Sequence, residues 1–135
     1  MTPELWYLFY TTILLTVLWI PHIIGQVMTA GLLTSEDYKN LREQSQFPAW
    51  VRRANRAHIN LVEQFGAFAA LVVIAHLAGI SNEMTVLASG VFFWARTVHA
   101  VVMLAGIGVI MLRTLVFTVS FLSWLVFAWQ ILSAA

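Results

Sequence analysis

Long uncharged stretches constrain this chain more than any other feature of its sequence. No Asp, Glu, Lys or Arg occurs from Leu5 to Ser35, from Gln64 to Asn82 or from Thr114 to Ala135. A fourth segment, Met84 to about Leu104, is apolar apart from Arg96 and His99. A helix of about 20 apolar residues crosses the hydrocarbon core of a bilayer, so each stretch is long enough to span. An ordinary soluble domain carries about 25% charged residues. Here 10% are charged and 61% hydrophobic, which leaves too little polar surface to cover the chain in water. That balance excludes a disordered chain, a nucleic-acid binder and a soluble enzyme. The reading is an all-α integral membrane protein of one domain, residues 1–135, built as a bundle of four transmembrane helices. The spans fall at roughly 5–33, 56–79, 84–105 and 109–132. The first reads as a true span rather than a cleavable leader, lacking a basic n-region and a small-residue cleavage site.

The charges cluster. Nine of the 13 (7 basic plus 6 acidic) lie between Glu36 and Glu63. Lys39, Arg42, Arg52, Arg53 and Arg56 fall between the first and second spans, and Arg113 follows the turn between the third and fourth. The N-terminus and the turn at Ile80–Glu83 carry no Lys or Arg. The bias of basic residues toward cytoplasmic loops therefore predicts both termini on the non-cytoplasmic side. Within the charged loop, Thr34 and Asp37 have the spacing of a capping box opening a short surface helix through about Gln44. Pro48 suits a helix start, so the second helix is expected to begin near Ala49, before the membrane. Pro21 predicts a kink in the first span, Ser81 or Asn82 a cap for the third, and Gly106 and Gly108 the turn that follows it.

Polar residues inside the spans carry the functional signal. Arg52, Arg56, Asn60 and Glu63 follow steps of four, four and three and share one helix face. Arg96 and His99, three apart, share a face of the third span, and Arg113-Thr114 open the fourth. A charge at membrane depth costs at least about 2.5–3.5 kcal/mol on insertion scales and is usually paired or functional. At 1.5 Å rise per residue, Glu63 lies roughly 10 Å along its helix from Arg56, and Arg96 roughly 15 Å from Gly106. All these groups then occupy the half of the bilayer facing the charged loop. Arg56, Arg96 and Arg113 against Glu63 leave a cationic surplus, suited to an anionic ligand with carboxylates or a thiolate.

Each residue also has a plainer role open to it. Glu63 with Arg96 could be a structural intramembrane ion pair, and Asn60 could bond a neighbouring helix. Arg113 and Arg52 could be snorkelling interfacial arginines, and His99 a packing residue. His58 faces away from the polar stripe, while His22 and His76 stand alone, so no metal site is indicated. With no cysteine in the chain, any sulfur chemistry needs a thiol supplied by a cosubstrate. Trp6, Trp124 and Trp129 fit an interfacial belt. Gly66, Ala67 and Ala70 fit close helix packing.

The run Arg56-Ala57-His58-Ile59-Asn60-Leu61-Val62-Glu63 resembles the Arg-Ala-His-x-Asn-x-x-Glu signature of the MAPEG family, membrane proteins of eicosanoid and glutathione metabolism. Arg96-x-x-His99 and Arg113-Thr114 are similar to weaker motifs of the same family. The resemblance covers nearly the whole chain. It implies a homotrimer with glutathione as cosubstrate, bound between neighbouring subunits near the cytoplasmic face. Arg56, Asn60 and Glu63 would then hold its charged and amide groups, with Arg96, His99 and Thr114 beside them, and Arg113 would face the sulfur as the catalytic residue. The implied activity is a transferase or peroxidase acting on lipophilic electrophiles or lipid hydroperoxides that arrive from the bilayer. The sequence departs from the pattern at Ile59, where several glutathione-using members have a basic residue, and at Met103 and Phe117, where some have tyrosine. The competing reading is a non-enzymatic or transport protein that binds a lipid or other anionic ligand. Against a proton-coupled exporter stands the placement of Glu63 on the second helix, among arginines.

Overall fold

The computed structural model describes residues 1–134 and is all-helical there. Four spans are long and apolar enough to cross a bilayer: Pro3–Ala30, Ala49–Leu77, Glu83–Ala105 and Leu112–Ala134. The first is broken into α1 (Pro3–Leu18) and α2 (Ile20–Ala30). The break falls at Trp19, just before Pro21, whose missing N–H and ring remove a rung of the ladder. A surface helix α3 (Ser35–Lys39) and a single 3₁₀ turn (Gln44–Gln46) cross the charged loop. Then come α4 (Ala49–Leu77), α5 (Glu83–Ala105) and α6 (Leu112–Ala134).

The expected helix signals act where the sequence places them, with one correction. Thr34 and Asp37 form a full capping box at α3, yet the helix stops at Lys39 instead of running to about Gln44. Arg42 is the physical reason. Its guanidinium grips Asp37 with Nε to Oδ1 at 2.7 Å and Nη2 to Oδ2 at 2.8 Å. It also donates to the carbonyls of Gly31 and Leu32, both at 2.9 Å. That fork folds residues 40–42 back over the end of α2, a geometry a continuing helix cannot supply. Asn82 caps α5 by accepting from the N–H groups of Met84 and Thr85. Gly106, at φ +68°, ends α5 in the left-handed region.

Two apolar clusters hold the bundle. Phe68, Val72 and Ala75 of α4 meet Ala88 and Phe92 of α5 and Phe127 of α6. There the rings of Phe68 and Phe92 stack at 4.0 Å. Toward the charged loop, Leu18 of α1, Ala57 and Leu61 of α4, and Ala100 and Met103 of α5 form the second. Hydroxyls within the spans bond carbonyls of their own helices, as Thr11 does to Tyr7 at 2.7 Å and Ser89 to Thr85 at 2.7 Å. Polar side chains are thereby satisfied without water. α5 is the most enclosed helix, so it is the element able to carry a polar group deep inside the protein.

Candidate functional site

The polar residues singled out from sequence fall into three groups on α4, α5 and α6. The first is a stripe. Arg52, Arg56 and Glu63 are exposed on α4 and Asn60 is half-buried. Gly66, Ala67 and Ala70 continue the same open face, and nothing lies within 4 Å of a Cβ built on Gly66. Gly66 therefore has no helix packed against it, while Ala67 lines a cavity with Phe121 and Trp124 of α6. Asn60 bonds neither a neighbouring helix nor another side chain: its Nδ2 donates to the Arg56 carbonyl of its own helix at 2.7 Å. That bond ties the Asn60 side chain to its own helix one turn after Arg56.

The second group is buried. Arg96 and His99 on α5 are 1% and 2% exposed. The guanidinium of Arg96 lies over the ring of Phe117, Cζ to centroid 5.7 Å, and the His99 ring stands 6.3 Å from the same ring. Arg96 Nε and Nη1 and His99 Nδ1 have no hydrogen-bond partner. The expected ion pair between Arg96 and Glu63 is not formed. Among the described residues the ion pairs are Arg42 with Asp37 and Lys39 with Glu36, both in the loop. Glu63 instead lines a cavity of about 160 Å³ with Gln64, Ala67, Phe121 and Trp124. Spacing along each helix placed the two groups at similar depth, but the packing of the helices does not bring them within ion-pair distance.

The third group opens toward the loop end. Arg113 and Thr114 line a cavity of about 330 Å³ with Arg53, Met103 and Gly106. Arg53 had no signal beyond its place in the basic loop. It is positioned because Gly106 lacks a side chain: a Cβ there would meet the Arg53 guanidinium at 2.7 Å. Met103 is shared between this cavity and the buried core beside His99. Arg113, His99 and Arg96 thus form an inward series along the α5–α6 interface, with Phe117 between the last two. In the sequence Phe117 stands out only as a lost hydroxyl, and its role as the face that receives a buried cation comes from the tertiary contact.

Trp124 also differs from expectation. Trp6 and Trp129 are exposed as a belt requires, but Trp124 is half-buried against the first apolar cluster with an unpartnered Nε1. An apolar groove of about 810 Å³ runs between α1, α5 and α6, lined by Tyr7, Gly90, Trp94, Val98, Val116 and Val119 among others. Its lower end reaches α6 one turn beyond Arg113.

The model of the MAPEG family matches residues 7–133. The chain belongs to the MAPEG family. No curated protein matched the sequence. Membership covers nearly the full chain, so the four-helix membrane architecture and the family assignment rest on the same residues. The family includes glutathione transferases and related proteins.

Proposed function

We propose that this MAPEG protein is a membrane-bound, glutathione-dependent transferase or peroxidase working as a homotrimer. The observation that carries the reading is the open polar stripe on α4. Arg56, Asn60 and Glu63 lie on an uncovered face of an otherwise apolar span, where lipid contact would cost several kcal/mol per charge. A second protein surface is the natural cover, and the small residues Gly66, Ala67 and Ala70 along the same face let another helix approach closely. In a homotrimer the stripe of one subunit faces the α5–α6 side of the next.

Each remaining group then has a task. Glutathione is anionic, with two carboxylates and an ammonium, and the site offers Arg56 to a carboxylate and Glu63 to the ammonium, while the enclosed Arg96 adds positive charge from the α5–α6 interface. Asn60, His99 and Thr114 offer hydrogen bonds to amides and to the sulfur. A free thiol has a pKa near 8.5 and the thiolate is the nucleophile, so a cation beside the sulfur raises the reactive fraction at neutral pH. Arg113 supplies that cation and cannot serve as the base, being permanently charged; the proton leaves to solvent. The α1–α5–α6 groove supplies a lateral, lipid-side approach for an apolar electrophile, ending one turn from Arg113. The thiolate attacks the electrophilic carbon, forming the C–S bond of a thioether as a leaving group departs with its bonding pair. Alternatively it takes the terminal oxygen of a hydroperoxide as the O–O bond breaks, giving an alcohol after protonation by solvent and a sulfenic acid that a second glutathione converts to the disulfide and water.

Ultraviolet difference spectra of the purified protein with glutathione at neutral pH test this directly. A thiolate band is expected in the native protein and is lost in Arg113→Leu together with conjugation, while the trimer persists. A native protein that binds no glutathione would favour the non-enzymatic ligand-binding reading.

A further inference from the structure

Glu4 is an acidic side chain buried at the end of the bundle opposite the arginines. It is 3% exposed on the first turn of α1. Its Oε1 accepts from Ser81 Oγ at 2.8 Å and from Thr85 Oγ at 2.5 Å, tying α1 to the start of α5. The other oxygen, Oε2, is buried with no partner. Glu4 lines a cavity of about 240 Å³ together with Thr2, His76, Gly79 and Ser81, floored by Val72 and Ala75. Ser81 donates to the carboxyl group, and the Thr85 hydroxyl is shared between it and the Asn82 carbonyl at 2.8 Å. A buried anionic oxygen without a partner is costly.

Among the described residues no Lys or Arg side chain lies at this end, and the N-terminal ammonium of Met1 forms no ion pair with Glu4. Lys39, Arg42, Arg52, Arg53, Arg56 and Arg113 lie at the other end of the bundle, and Arg96 is enclosed between α5 and α6. No group of three His, Asp or Glu side chains able to hold a metal occurs among the described residues, so one carboxylate and a rim histidine do not make a metal cage. The volume is below the range of about 300–1,000 Å³ that drug-sized ligands fill, and the cavity sits where lipid headgroups meet the helix ends. We propose that this cavity binds a primary ammonium group, with Glu4 Oε2 accepting its N–H donors and His76 at the rim facing the anionic group beside it. The ammonium belongs either to an ethanolamine phospholipid of the adjoining leaflet or to a free primary amine. The site is separate from the arginine-lined one, and its test does not depend on glutathione.

The test uses the full chain, delipidated in detergent, with binding read by native mass spectrometry and thermal shift. Phosphatidylethanolamine and its mono-, di- and trimethylated forms with identical acyl chains remove the N–H donors one by one. Affinity is expected to fall in steps, by about tenfold in all, the worth of one charge-assisted hydrogen bond. Glu4→Gln is expected to bind all four lipids alike. Competition by millimolar ethanolamine identifies a free amine as a ligand, and its failure to compete assigns the site to the lipid headgroup. Equal binding across the methylated series by the native protein overturns the proposal, as does a Glu4→Gln protein that keeps the preference. Where Glu4→Gln fails to fold, the methylated series on the native protein alone decides.

Discussion

The guanidinium of Arg96 rests on the ring of Phe117, 5.7 Å from its centroid, with Nε and Nη1 otherwise unpartnered. A desolvated cation over an aromatic face is stabilised by about 2 kcal/mol. Phe117→Leu keeps an apolar side chain but removes that face, and is expected to lower stability in detergent by about 1–2 kcal/mol. Phe117→Tyr retains the face and should stay near the native value. Thermal unfolding followed by tryptophan fluorescence measures both, and equal losses in the two variants would show that the aromatic face is not what stabilises Arg96.

Gly25 is the point where α2 meets the start of α4. A Cβ there would lie 2.5 Å from Val51 Cγ2 and 2.6 Å from the Trp50 ring. Trp50 is partly exposed and can swing aside, whereas Val51 is fully buried and cannot. Gly25→Val is therefore expected to destabilise the bundle by about 1–3 kcal/mol, the usual cost of overpacking. Val51→Ala should return part of that loss when combined with it, and strictly additive losses in the double variant would place the strain elsewhere.

The loop clamp sets a pH dependence. Arg42, then the backbone and side-chain bonds from Thr34, hold the Asp37 carboxyl well below the usual carboxylate range, and Asp37 in turn raises the Arg42 guanidinium. A lowered folded pKa gives stability that is present above the unfolded value near 3.9 and is lost as pH falls through the folded value. Protease cleavage within residues 31–47 should thus be constant from pH 7 to about pH 5 and increase only below about pH 4. Asp37→Asn should be cleaved rapidly at every pH. Sensitivity that rises between pH 7 and pH 6 would point to a histidine instead.

Orientation is open to a direct test because the chain has no native cysteine. Single cysteines at Ser45, in the basic loop, and at Ser133, near the C-terminus, are both at exposed positions. An impermeant thiol reagent added to intact cells is expected to modify the Ser133→Cys protein and spare Ser45→Cys. The reverse pattern would invert the topology and place the arginine-lined cavity on the outer side.

The sequence by itself determined the four spans, because hydrocarbon tolerates only long apolar helices whose backbones satisfy themselves. It also determined the helix ends that depend on neighbours a few residues away: the Thr34–Asp37 box, the Asn82 cap and the left-handed Gly106. The polar side chains of the candidate site were legible one by one, since a charge in an apolar run stands out. Their grouping was not. Position along a helix fixes depth and face only relative to that helix, so Glu63 and Arg96 were set at one level while the packing of α5 on α6 turned Arg96 toward Phe117 and left Glu63 on the open face. Arg42 closing on the carbonyls at the end of α2, Arg53 seated over Gly106 and Glu4 held by Ser81 and Thr85 are likewise products of tertiary structure. Each joins residues on different elements, and such a contact depends on how helices rotate and cross, which is decided by the packing of whole faces rather than by any local spacing.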